Sequence, residues 1–252
     1  MRKAISIGSV IMILAAVVIA GNDPWKAKPY QQWDDKDVRK ILGDSPWSKV
    51  IQVDATWKGM TDLSADDSSQ PPATNAPSPV AKMGQSPPTS ANPGGAVGPG
   101  NSASQASFVL RWVSSRTLQR AAARSAELAG QLKPEDAEKQ LANAPDVYEV
   151  AVMGPDMRPF QSADEDILKL SAALIDKKSK QKVSPSKVEI SRTADGKKVQ
   201  AVSFIFSKKA GNGEPAIPED EKSVDFNCDI NGAKIRASFD ISKMQDTQGR
   251  DL

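Results

Sequence analysis

Side chains able to do chemistry are scarce in this sequence, and what is missing narrows the field first. The 252 residues include no histidine and one cysteine, Cys228. Without histidine there is no Ser-His-Asp or Cys-His relay and no imidazole ligand for a metal. A single cysteine builds neither a cysteine-cluster zinc site nor an internal disulfide. No G-x-x-x-x-G-K-[ST] or G-x-G-x-x-G run offers a phosphate cradle. Four patterns remain. Ser184-Pro185-Ser186-Lys187 fits S-x-x-K, which sets a lysine beside a nucleophilic serine, but Pro185 leads toward a strand and no S-D-N or K-T-G companion occurs. Asn227, Asp229, Asn231 and Gly232 follow the start of a calcium loop, yet Ser238 stands where the bidentate glutamate belongs. Asp34, Asp35 and Asp37, or Asp164, Glu165 and Asp166, could furnish the carboxylate pair of a glycosidase. Both groups fall in first turns of expected helices, where acids suit the helix dipole. Trp25, Trp33, Trp47 and Trp57 could stack on a sugar, but they suit equally the anchoring of a small unit on a core. In each case the structural explanation is the stronger. No catalytic, cofactor-binding or metal-binding residue is assigned, and no cofactor.

The elements that would position any site are legible locally. Residues 33–57 hold the densest set of signals. Asp34 is an N-cap with Asp37 in the capping-box place, and Trp33 and Val38 are spaced as a hydrophobic staple. Val38, Ile41 and Leu42 share one helix face, Gly43 suits a left-handed C′ position, and Pro46 forbids continuation. Ile51, Val53, Ala55 and Trp57 then alternate with polar residues as a half-buried strand. Further on, Phe108, Leu110 and Trp112 predict a strand, and Ser114 or Ser115 can cap a helix carrying Leu118, Ala122, Ala126 and Ala129 that ends at Gly130. Pro134 opens a short helix, and residues 147–153 read as a strand. Ser162 and Glu165 predict a capping box for a helix carrying Ile167, Leu168, Leu174 and Ile175. Strands follow around Val188 and Ile190, around the Asp195-Gly196 turn, and from Val199 to Phe206 with a slip in phase near Val202. Val224, Phe226 and Cys228 lead to Asn231-Gly232, and Ile235, Ala237 and Phe239 return. Helices followed by two terminal hairpins indicate an α+β fold with an antiparallel sheet and three to four helices.

Composition divides the chain. Met1-Arg2-Lys3 followed by an apolar run to Val18-Ile19-Ala20 reads as a secretory signal over residues 1–20, while an uncleaved run would serve as an inner-membrane anchor. Without Arg2 and Lys3 the 33 basic residues fall to 31, equal to the 31 acidic ones, so net charge does not recommend a nucleic acid as partner. Residues 58–106 are rich in Pro, Ser, Ala and Gly and should be disordered. Residues 25–57 are too few to fold alone, so their apolar face is expected to dock across that tract onto the main domain, 107–244.

Trp33, Asp37, Ile41, Leu42, Asp44, Ser45, Pro46 and Trp47 spell W-x-x-x-D-x-x-x-I-L-x-D-S-P-W. This pattern resembles the opening of a group of uncharacterised exported bacterial proteins. The resemblance implies export, and it implies no activity or site residue. The sequence therefore points to an exported envelope protein, periplasmic or extracellular, that binds or builds rather than catalyses; another envelope protein or a polysaccharide would be its partner. The competing classes are a carboxylate-based hydrolase, such as a glycoside hydrolase, and a membrane-tethered assembly subunit.

Overall fold

The computed structural model describes residues 23–55, 57, 105–143 and 146–252. The expected signal at 1–20 and residues 58–104 of the expected disordered tract lie outside the described residues. Residues 105 and 106, assigned by composition to that tract, are instead the first residues of a strand.

Two antiparallel sheets form the centre. The first has the order β1 (Ser48–Asp54), β2 (Gln105–Trp112), β3 (Val147–Met153), β7 (Val199–Ser207), β6 (Lys187–Arg192). The second has the order β5 (Lys182–Val183), β4 (Ala172–Asp176), β8 (Ser223–Ile230), β9 (Ala233–Asp240). The two expected hairpins form, β6 with β7 and β8 with β9, one in each sheet. The period-2 alternation fixes which face each residue takes. Phe108, Leu110, Trp112, Val150, Val152, Phe204 and Phe206 point inward from the first sheet, and Leu174, Phe226, Cys228, Ile235 and Phe239 from the second; all are buried in one core. Aromatic pairs tie the sheets face to face, with ring centroids 5.3 Å apart for Phe204–Phe226 and 5.2 Å for Trp112–Phe239. The phase slip on β7 is real: Arg192 pairs with Val199 and Ser191 with Ala201, leaving Gln200 as the extra residue, just before the expected place.

Six α-helices accompany the sheets among the described residues: α1 (Pro24–Ala27), α2 (Asp35–Gly43), α3 (Arg116–Leu128), α4 (Pro134–Ala142), α5 (Arg158–Gln161) and α6 (Glu165–Ser171). The α2 capping box forms on both sides, Asp37 N to Asp34 Oδ1 at 2.9 Å and Asp34 N to Asp37 Oδ2 at 3.0 Å. Gly43, expected in a left-handed C′ position, is instead the last helical residue, and its φ is not positive. The helix is closed by hydroxyls: Ser45 Oγ donates to the Ile41 carbonyl and Ser48 Oγ to the Leu42 carbonyl.

Residues 33–55 share the core of the rest. β1 runs beside β2 from Ser48↔Arg111 to Asp54↔Gln105, and Val38, Ile41 and Trp47 are buried, with Leu42 and Ile51 partly so. Four further corrections concern boundaries and faces. The helix expected to carry Leu174 and Ile175 stops at Ser171; those two residues lie in β4, where Leu174 faces Phe226 and Val183 across the ladder. Its N-cap is Asp164, whose carboxylate accepts from Ile167 N at 2.9 Å, and Ser162 closes α5 instead. On α3 the buried face is Thr117, Leu118, Ala121 and Ala123, turned away from the expected Ala122, Ala126 and Ala129. Finally, the ordered fold does not end at Met244. β10 (Gln245–Asp246) and β11 (Gly249–Arg250) bring Asp251 back to the core. Its carboxylate accepts from Arg116 N at 2.7 Å and Thr117 N at 3.0 Å, capping α3, while its carbonyl accepts the Trp47 indole at 2.7 Å.

Candidate binding cleft

The residue that organises the candidate site is Arg111, near the C-terminal end of β2. Inward neighbours Leu110 and Trp112 are fully buried, so alternation sends Arg111 to the outer face of the first sheet. There it is half-buried under α2. Its Nε donates at 2.8 Å to the Leu42 carbonyl, which Ser48 Oγ also bonds, at the C-terminal end of α2 where a positive charge is favoured. That is its one side-chain hydrogen bond among the described residues, and it forms no ion pair there. Burial lowers its pKa from the ordinary guanidinium value, without a neighbouring carboxylate to offset the loss of water.

Arg111 stands at the wall of a cleft of about 430 Å³ between the outer sheet face and helices α2, α3 and α4. Leu42, Val113, Leu118, Ala122, Leu141 and Met153 make its surface apolar; Gln119, Gln140 and Asn143 supply amides, and among the described residues no carboxylate lines it. The size and the apolar lining with a few polar groups suit a small-molecule site. The apolar surface continues beyond the cleft. Strand register sets Val50, Val109, Met153 and Ala201 in one row across four strands of the outer face, and Val50 is 58% exposed.

The residues singled out in the sequence lie elsewhere, and each is engaged in the fold. Trp25, Trp33, Trp47 and Trp57 are all buried, so they form no platform for a sugar. Trp25 and Trp47 pack edge to face with centroids 5.3 Å apart, and the Trp57 indole donates to Asp156 at 3.2 Å. Asp34 and Asp37 spend their oxygens on the capping box, and Asp37 also pairs with Lys28 at 2.5 Å. Asp35 pairs with Arg39. Asp164 caps α6, Glu165 pairs with Lys169 at 2.9 Å, and Asp166 is exposed. Lys187 bonds Glu189 at 2.7 Å rather than Ser184. Asn231 and Gly232, both at positive φ, make the tight turn between β8 and β9, and Asp229 holds Arg236. No group of three or more acidic or cysteine side chains that could hold a metal occurs among the described residues.

Two further places bear on chemistry. Asp176 and Glu221 are a buried pair of carboxylates. Burial alone would raise the Asp176 pKa, but the N–H groups of Lys178 and Ser179, donating to its Oδ1 at 2.7 and 3.0 Å, help hold it down at about 2. Glu221 in turn accepts from Lys222 N and Ser223 N, each at 2.9 Å. Both carboxylates serve the turn after β4, and neither lines the cleft. A second, polar cleft of about 610 Å³ carries Lys26, Lys40, Lys49 and Lys243 beside Asp23, Asp44 and Asp240. There Lys26 pairs with Asp23 at 3.5 Å and Lys243 with Asp240 at 3.2 Å.

Nothing in the sequence marked Arg111 as special. It read as one polar residue in an alternating strand, and only the packing of α2 over it and of α3 and α4 beside it makes a cleft. Comparison with protein families, with curated proteins and with solved structures finds no match for this chain.

Proposed function

We propose that this is a non-enzymatic, exported binding protein of the bacterial envelope, and that the Arg111 cleft is its binding site. The observation that supports it is a half-buried guanidinium, its two terminal amino groups without a protein partner among the described residues, at the wall of an apolar cleft. Those amino groups keep contact with solvent rather than being sealed in the core, so they can make charge-assisted hydrogen bonds to a ligand that enters the cleft. The cleft itself argues against a carboxylate hydrolase acting there, because acid–base cleavage needs two carboxyl groups across an open site. Export rests on residues 1–20 and on the resemblance of the 33–47 pattern. No helix among the described residues is long and apolar enough to cross a membrane.

The binding reading is tested with a neutral apolar probe, N-phenylnaphthylamine, whose fluorescence rises in an apolar site. The full chain should bind it, and Ala122→Trp, placed on the exposed side of α3 within the cleft, should abolish binding without changing the melting temperature. Binding that survives Ala122→Trp, or no binding at all, would contradict the reading. Intact mass of the protein isolated from its cell envelope tests export: loss of residues 1–20 supports cleavage, and their retention supports the tethered alternative.

A further inference from the structure

The geometry points to a long-chain carboxylate, a single-chain fatty acid, as the ligand of the cleft; this rests on the binding reading above and adds the chemistry of the ligand. The head group follows from Arg111. With Nε committed to the Leu42 carbonyl at 2.8 Å, both terminal amino groups remain to donate to one planar, two-oxygen acceptor. Among the described residues Arg111 is also the one charged residue lining the cleft, so the local charge matches a single negative charge rather than two. Amides of Gln119 and Gln140 can share the head group without adding charge.

The tail follows from the sheet. Met153 lines the cleft, and the cross-strand row continues from it through Val109 to Val50. Neighbouring strands lie about 4.8 Å apart, so the row from Ala201 to Val50 is an apolar track of about 14 Å on the outer face. Arg111 lies two residues along β2 from Val109, on the same face, which puts the cation at the side of that track. A compact apolar molecule would fill the cleft and leave the track bare. An extended chain with one anionic end covers both.

The test is calorimetric titration of the full chain with decanoate, decan-1-ol and decyl phosphate. Decanoate should bind about ten-fold or more tightly than decan-1-ol, the ratio expected of a charge-assisted hydrogen bond. It should also bind at least as tightly as decyl phosphate. Arg111→Met should remove the preference for acid over alcohol while leaving alcohol binding within about two-fold. Met153→Glu, which sets a like charge on the track, should weaken decanoate more than Arg111→Lys does. Equal affinity for acid and alcohol in the unmodified protein would overturn the head-group assignment and leave the cleft reading standing. Tighter binding of decyl phosphate would replace carboxylate by phosphate. Failure of all three ligands would overturn the cleft reading as well. The comparison of ligands needs no variant, so a variant that fails to fold leaves the test intact.

Discussion

Cys228 shows how far burial can silence a reactive residue. It lies fully inside the core, and burial pushes its thiol up to about 12 from an ordinary 9.0, against a weak contact with Ser171 Oγ at 3.7 Å. A thiol in that state carries almost no thiolate at neutral pH. An aromatic disulfide reagent should therefore label it at the rate of global unfolding, and rapid labelling of the native protein would mean that the β8 face is open. Asp156 is shifted the other way. The Arg158 guanidinium grips both carboxylate oxygens, at 2.9 and 2.8 Å, and the Trp57 indole adds a third bond, so the pKa falls from 3.8 to about 2. The folded state thus favours the carboxylate. Its stabilisation is complete above the unfolded value near 4 and is lost as pH falls from there through about 2. Asp156→Asn should lower the melting temperature at pH 7, and the gap from the unmodified protein should close on acidification over that window. A gap independent of pH would contradict the assignment. Cys228 and Asp156 were plain in the sequence as residues, but their environments were not, because Trp57 and Arg158 meet Asp156 only in the folded chain.

Helix caps and tight turns were the most legible elements. Asp34 and Asp37 form the box their spacing predicts, and Asn231-Gly232 makes the turn its type demands, because such local chemistry involves neighbours in sequence. Asp34→Ala should cost about 1 kcal/mol in denaturant unfolding. The α6–β4 junction was not legible. The run from Ile167 to Ile175 has enough apolar residues for a continuing helix, and pairing of Leu174 with Phe226 and Val183 decides for a strand. The terminal segment 245–252 was missed because it is short and polar; its worth lies in one carboxylate, Asp251, at the N-terminus of α3. Gly154, after β3, shows a constraint of a different kind. A Cβ there would sit 2.7 Å from the Ser107 carbonyl oxygen and 3.0 Å from the Phe108 ring. Gly154→Ala should therefore destabilise by about 1–3 kcal/mol, and an unchanged unfolding midpoint would show that β2 and β3 can part there.

At the scale of the molecule, one core spans both sides of the 58–104 segment. Ile41 is fully buried in it, so Ile41→Asp should lower the stability of the whole fold by about 4 kcal/mol or more in a single transition. Loss of only a local signal would mean that residues 33–55 unfold by themselves. Asp54 and Gln105 are paired across the β1–β2 ladder, which already holds the ends of the intervening segment together. Closure entropy changes by only about 0.6 kcal/mol per doubling of length, so removing residues 68–100 should shift stability by about 1 kcal/mol at most. The fold class was legible from strand and helix periods; the cleft was not, since it arises where α2, α3 and α4 stop short of covering the outer face of β2 and β3. Whether that cleft is the binding site is tested most directly by amide and methyl chemical shifts of the full chain during titration with decanoate. Saturable shifts are expected, centred on Arg111, Leu118, Ala122, Leu141 and Met153 and reaching Val109 and Val50. Shifts centred on Trp25, Lys26 and Lys243 at the polar cleft, or none that saturate, would contradict it.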